Sequence, residues 1–205
     1  MIKKNNKNLF QVGDKNMLKD LILKNRSYRR FDESKKISKE EMLDLIDLAR
    51  LSPSAANRQP LKYYLSSTRE TNEKIFSTLA WAGYLKDWKG PVKGERPTAY
   101  IIILGDRNIT EKYGIDPGIV AQSILLGATE KGLGGCMFGS VARDSLRKLL
   151  NISSQYEILY ALALGYPVEK IQIENIDENG DIKYWRDNNQ VHHVPKRSIS
   201  ELIIS

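Results

Sequence analysis

The run from Ala99 to Leu104, reading Ala-Tyr-Ile-Ile-Ile-Leu, constrains this chain more than any other stretch. Three consecutive β-branched residues between an aromatic and a leucine stiffen the backbone toward an extended form and leave nothing polar to face water. The segment therefore reads as a buried strand. Glu157 to Leu164 reads the same way, and Lys62 to Ser67 and Cys136 to Phe138 supply two shorter strands. Between them lie segments with helical periodicity. Ser38 with Glu41 forms a capping box ahead of Met42, Leu45, Ile46 and Ala49, and Pro53 closes that helix. Further helices are expected from Asp14 through Ile22, over Thr71–Ala80, from Asp116-Pro117 to Lys131, and over Arg143–Leu150. Helices alternating with about four strands predict an α+β sandwich.

At 205 residues with 41% hydrophobic content, the chain suits one domain with a real core. Residues 1–13 are polar and irregular and are expected to form a flexible N-terminal tail, leaving 14–205 as a single domain. The 32 Lys and Arg against 25 Asp and Glu give a net charge of +7. These charges are spread along the chain, with no basic stripe interleaved with aromatics, so nucleic acid is not an expected partner. No apolar run is long enough to span a bilayer, and the basic start lacks the apolar stretch of a secretory signal. One cysteine, Cys136, excludes an internal disulfide framework. A cytoplasmic setting is expected.

Three segments have residue types suited to chemistry. Arg26-Ser27-Tyr28-Arg29-Arg30 puts three guanidiniums and a hydroxyl within five residues, a composition that grips a phosphate or an anionic ring; the alternative is a solvated basic turn. Ser52 to Pro60 (Ser-Pro-Ser-Ala-Ala-Asn-Arg-Gln-Pro) combines small residues with amides able to donate and accept; the alternative is a plain capping loop. Gly132 to Ser140 is glycine-rich and follows a helix, which suits either a stop or a backbone surface open to a ligand. It does not have the form of a dinucleotide fingerprint. Lys196 and Arg197 add two late cations. Cys136 reads as an inert core thiol, and the adjacent His192 and His193 have no ligand partner at metal spacing.

Taken in order, these segments resemble the FMN-dependent nitroreductase family. The resemblance rests on Arg-Ser-x-Arg-x-Phe after the first helix, Ser-Pro-Ser-x-x-Asn-x-Gln-Pro after the second, Gly-Leu-Gly before a short strand, Leu-Gly-Tyr-Pro after the last core strand, and a Pro-Lys-Arg close. It covers roughly Leu18 to the C-terminus. It implies a three-layer sandwich with a central mixed or antiparallel sheet flanked by helices, and a C-terminal arm exchanged in a homodimer, with Ser198 to Ile203 as its strand. It further implies FMN as cofactor, NADH or NADPH as electron donor, and a small-molecule acceptor such as a nitroaromatic or quinone, reduced in a ping-pong cycle.

By the same resemblance, Arg26 and Ser27, with Tyr28 beside them and Lys196 or Arg197 opposite, would hold the phosphate or ribityl chain. Arg29 would lie at the flavin's N1–C2=O edge. Pro53, Ser54, Ala55 and Asn57 would touch the flavin of the partner subunit, and Gly139 and Ser140 the N5–C4=O edge. No residue is expected to act as a dedicated acid or base, and Trp81 to Pro97 would form a surface flap with Trp81, Tyr84 and Trp88 as substrate contacts or packing residues. Asn25 stands where the family often has Arg, and Leu61 where it often has Trp. Other readings remain: a specialised enoate or flavin reductase or a dehalogenase, an FMN-binding protein for storage or sensing, and a basic binding protein without flavin.

Overall fold

The computed structural model describes residues 17–177 and 179–204. The expected tail, 1–13, and the Asp14 cap lie outside the described residues. In chain order the elements are α1 (Met17–Lys24), α2 (Lys39–Leu51), β1 (Leu61–Ser66), α3 (Arg69–Phe76), β2 (Ala99–Asp106), α4 (Asp116–Glu130), β3 (Gly134–Phe138), α5 (Arg143–Leu150), β4 (Tyr156–Gly165), β5 (Ile171–Asn175), β6 (Trp185–Arg186), β7 (His192–Lys196) and α6 (Ile199–Leu202).

The run that opened the analysis becomes β2, in which every residue is buried. It pairs antiparallel with β1 on one side and β4 on the other, and β3 closes the sheet in the order β1-β2-β4-β3. Successive side chains on a strand point to opposite faces. Ala99, Ile101 and Ile103, with Leu162 and Leu164 of β4, face α2 and α4, where they meet Met42, Leu45, Val120 and Ile124. Tyr100, Ile102 and Leu104, with Ala161 and Ala163, face the other way onto Ile75 of α3 and Leu146 of α5. The result is the expected sandwich: two helices, an antiparallel sheet, two helices. Fully burying each such aliphatic side chain contributes about 1.5–3 kcal/mol, so Ile101, Ile102, Ile103 and Leu104 make β2 a large contributor to both halves of the core.

The capping box at α2 forms as read, with Glu41 N–H donating to Ser38 Oγ at 3.1 Å and Ser38 N–H donating to Glu41 Oε2 at 2.8 Å. Three expectations need correction. First, α3 stops at Phe76 instead of running to Ala80. The chain turns there so that Trp81 can enter the core against Phe138, with ring centroids 4.6 Å apart. Second, Ser198 to Ile203 is not a strand. Ser198 and Glu201 form another capping box, and Ile199–Leu202 is a helical turn. Third, the described residues hold seven strands where about four were expected, because the tail carries a second sheet, β5-β7-β6, in which β5 and β7 run parallel and β6 and β7 antiparallel.

Helix α1 has no buried residue. Met17, Leu18 and Ile22 of its expected apolar face lie exposed, as do Ile199, Leu202 and Ile203 at the other end of the chain. Among the described residues, no helix is long and apolar enough to cross a membrane.

Candidate functional site

Between the edge of the main sheet and the tail sheet lies a cleft of about 330 Å³, lined in part by Arg26, Ser27, Arg29, Gln122, Tyr184, His192 and Lys196. It is built from the segment Asn25 to Phe31, which belongs to no regular element. Ser27 forms a single parallel bridge with Gly135, and Phe31 an antiparallel one with Pro167. The Tyr28 N–H donates to the Gly135 carbonyl at 3.0 Å.

Two glycines permit this seating. A Cβ on Gly134 would stand 2.5 Å from the Tyr28 ring and 2.6 Å from Pro167, and one on Gly165 would stand 2.7 Å from the Phe31 ring. The aromatics of the basic segment therefore plug into the sheet edge, while Arg26 and Arg29 line the cleft. The Tyr28 hydroxyl donates back to the Lys24 carbonyl at 3.0 Å, so this side chain anchors the segment.

Beneath the segment sits Glu169, its side chain 1% exposed. It accepts from the backbone N–H groups of Arg29 and Arg30 and, at 3.1 Å, from Arg186 Nη2. Arg186 in turn lies 4.7 Å over the Trp88 ring. Arg30 points away from the cleft and forms a two-pronged pair with Glu95, at 2.7 and 2.6 Å. The carboxylates near the basic segment are thus spent on holding its backbone and Arg30. Among the described residues, no carboxylate lines the cleft itself.

The cleft's own donors are under-used. Arg29 Nη1 donates to the Ser27 carbonyl at 3.1 Å and its guanidinium lies 4.9 Å from the centre of the Tyr184 ring. Its Nε, like that of Arg26, is buried with no hydrogen-bond partner among the described residues. Buried donors are almost always satisfied, so two orphaned guanidinium N–H groups in one carboxylate-free cleft mark a place for an anion's oxygens. The residues present accordingly fit a phosphate-bearing cofactor such as FMN.

His192 completes the wall. It is 1% exposed, and its Nε2 lies 3.4 Å from Arg29 Nη1. Arginine has no proton acceptor to offer, so Nε2 takes the acceptor role and the proton is assigned to Nδ1. Burial, with added repulsion from Arg29, Arg186 and His193, pushes the imidazole down to about 4. At neutral pH this histidine is uncharged. His193 instead turns to Glu174 at 2.9 Å and Asp187 at 3.5 Å, carboxylates that spacing along the chain did not pair with it, and stacks on Trp185 at 4.0 Å.

Of the sequence-predicted residues, the cleft gathers Arg26, Ser27, Arg29 and Lys196. Arg197 is exposed and pairs with Glu201 at 3.3 Å. Gly139 and Ser140 lie exposed beyond the end of β3. Pro53 and Ser54 border a separate hollow of about 290 Å³, with Ala55 and Asn57 exposed beside it. That loop is ordered under strain. Ala56, Asn57 and Gln59 have φ near +50°, a conformation that non-glycine residues rarely adopt. Buried Asp116 holds it, accepting from Ser54 Oγ at 2.6 Å and Ala55 N–H at 3.0 Å. Strain fixed in this way concentrates at binding surfaces.

Trp81 and Trp88 pack with each other, whereas Tyr84 reaches the cleft wall through Tyr184, with centroids 4.9 Å apart. Cys136 is buried and its thiol is pushed up to about 11, chiefly by burial, which keeps it protonated and inert. The sequence reading did not pick out Gln122, Glu169 or Tyr184. Gln122 alone carried a signal, as an amide within the apolar run Gly118–Ala128 of α4.

Comparison with known proteins places these features. A family model described as the nitroreductase family matches residues 22–166. YdgI of Bacillus subtilis, provisionally named an NAD(P)H nitroreductase, is 35% identical over 193 residues, covering 75% of this chain and 92% of YdgI. A protein of Archaeoglobus fulgidus, provisionally named an NADH dehydrogenase/NAD(P)H nitroreductase, is 26% identical over 167 residues, covering 77% of this chain and 90% of its own. Among solved structures, an FMN-dependent nitroreductase from Clostridium difficile R20291 superimposes with a TM-score of 0.63 at 23% identity, covering 82% of this chain and 98% of that one. At that identity the likeness speaks to the fold.

Proposed function

The chain belongs to the nitroreductase family, and on that premise we propose that it is an FMN-dependent oxidoreductase moving electrons from NADH or NADPH to nitroaromatic, quinone or similar small acceptors. The observation that carries this reading is the cationic, carboxylate-free cleft with its two orphaned guanidinium donors. When bound, FMN supplies the hydride and electron chemistry of a ping-pong cycle, which accounts for the lack of a dedicated acid–base pair in the reading.

The chain's own residues bind and tune. Arg26, Ser27 and Lys196 would hold the phosphate and ribityl groups, Lys196 acting as a point charge and Arg26 as a directional donor. Arg197 joins them by exchanging its exposed pairing with Glu201, a surface interaction worth little. Arg29 would offset negative charge at the pyrimidine edge of the ring, a fixed cation in a partly buried site. Neutral His192 avoids like-charge repulsion with that cation and lends it an acceptor. Gly139 and Ser140 would offer backbone groups at the opposite edge.

The same reading makes the protein a homodimer, in which Pro53, Ser54, Ala55 and Asn57 touch the flavin of the other subunit. Two features support this: the strained loop held by Asp116, and the exposed apolar residues of α1 and of the C-terminal turn, which a second subunit would cover. The C-terminal arm would cross between subunits with its end helical.

Titration of the purified protein with FMN, followed by quenching of flavin fluorescence, tests the proposal. Saturable binding that weakens in Arg29→Gln, followed by NADH or NADPH oxidation once a quinone or nitroaromatic is added, is the expected result. Failure to bind FMN overturns it. Tight FMN binding without nicotinamide oxidation by any acceptor assigns the cleft to storage or sensing.

A further inference from the structure

A second cavity, of about 340 Å³, shares no lining residue with the cationic cleft. Its floor comes from the sheet face covered by α3, where Tyr100 and Ile75 pack, whereas the cleft borders Leu125 on the α4 side. The cavity is lined by the Arg96–Thr98 stretch that leads into β2, by Tyr100, and by Phe76 of α3.

Three polar atoms of the residues lining this cavity are buried and have no partner among the described residues: Arg96 Nε, Thr98 Oγ1 and the Tyr100 hydroxyl. Tyr100 is 1% exposed, and burial pushes its phenol far above the ordinary value, so it stays protonated and able to donate. Nearby groups that could have answered these donors are already engaged. Glu33 accepts from the backbone N–H groups of Gly94 at 2.5 Å and Arg96 at 3.5 Å. Glu73 pairs with Arg69 at 3.2 Å. Asn72 bridges Ser66 at 2.7 Å and the Thr98 carbonyl at 2.8 Å. At the rim, Lys36 and Lys93 are exposed and make no ion pair with a described residue. The Arg96 guanidinium lies 4.2 Å from the centre of the Phe76 ring, which fixes its plane.

Orphaned buried hydroxyls alone are commonly met by water. Here they share a cavity with an oriented guanidinium and two free ammonium groups, and its two carboxylates, Glu33 and Glu73, already accept from the Gly94 and Arg96 backbone and from Arg69. We propose that this cavity is a second ligand site, taking a small organic anion whose phosphoryl or carboxylate oxygens accept from Arg96, Thr98 and Tyr100 while its apolar part lies beside Phe76 and Pro97. Lys36 and Lys93 draw the anion in and close over its charge.

The test is calorimetric titration of the protein, with and without added FMN, using phenyl phosphate, benzoate and inorganic phosphate as probes. One saturable site per chain is expected with FMN present. Tyr100→Phe combined with Thr98→Val removes two donors at nearly constant shape and weakens binding roughly tenfold or more. Arg26→Gln combined with Lys196→Gln leaves it unchanged. Stronger binding of phenyl phosphate assigns a phosphoryl ligand, and stronger binding of benzoate a carboxylate. If none of the probes saturates, or if affinity follows the cleft variants and ignores the cavity variants, the proposal falls. Should the Tyr100 and Thr98 changes prevent folding, Lys36→Gln with Lys93→Gln alters only exposed side chains; unchanged affinity there is equally fatal.

Discussion

Replacing Glu169 by Ala removes an acceptor shared by three donors. The carboxylate is 1% exposed and its partner Arg186 is 8% exposed, so the pair is buried on both sides. Breaking such a pair from one side leaves a charge without compensation and costs about 3–5 kcal/mol. The Arg29 and Arg30 backbone N–H groups lose their acceptor as well. Contributions within one network do not add, and water entering the vacated space recovers part of the loss, so about 4 kcal/mol is the expected total. Glu169→Gln keeps an acceptor oxygen of the same shape and should cost only about 2 kcal/mol.

With a urea dependence of about 2 kcal/mol per molar for a domain of this size, the alanine variant's midpoint falls by about 2 M and the glutamine variant's by about 1 M. The assay is equilibrium urea unfolding followed by tryptophan fluorescence. Combining Glu169→Ala with Arg186→Met should return part of the loss, since no charge is then stranded. An alanine midpoint indistinguishable from the parent's would refute the reasoning, because Glu169 could not then be the support on which the basic segment rests.

Other outcomes follow from the same structure. Gly134→Ala places a methyl carbon 2.5 Å from the Tyr28 ring; flavin affinity should drop more than thermal stability, as read by paired fluorescence titration and melting, because the basic segment is displaced while the core stays intact. His192 has a folded value of about 4 against an ordinary 6.5. The unfolded chain therefore binds its proton first as pH falls, so the neutral imidazole's contribution is complete above 6.5 and is lost between there and about 4. Urea midpoints measured across that range should fall for the parent and flatten for His192→Gln. Ser38→Ala removes one limb of the α2 capping box and should cost about 1 kcal/mol in the same assay. Cys136, buried with its thiol pushed up to about 11, should react with a disulfide reagent at pH 8 only after unfolding.

The core was legible because its signals are local. β2 and β4 announce themselves by composition, α2 by its cap and its period, and α5 was read with its observed bounds. The tail was not, for a physical reason. β5 alternates Ile171 and Ile173 with Gln172 and Glu174, too short a pattern to assign, and it is held by its parallel register with His192 to Lys196, a partner some twenty residues away. Ser198 to Ile203 shows a local code overriding an expectation taken from resemblance: the family likeness implied a strand, yet Ser198 and Glu201 three apart encode a helix start, and the cap won. In the site, Arg26, Ser27, Arg29 and Lys196 could be named because they sit in short motifs. Glu169 could not, since nothing in chain order places it beneath Arg29, 140 positions earlier.

The cleft's two walls are encoded apart from the core that steadies them. Residues 61–165 supply every strand of the main sheet, while the cations and rings facing the cleft come from the Asn25–Phe31 segment and from the tail sheet, joined by Glu169. A substitution at Tyr184, His192 or Lys196 can therefore change what the cleft accepts without touching a β2 or β4 contact. Divergence among such proteins then has a direct route: the sandwich is kept as a chassis, and selectivity is rewritten in some thirty residues of tail.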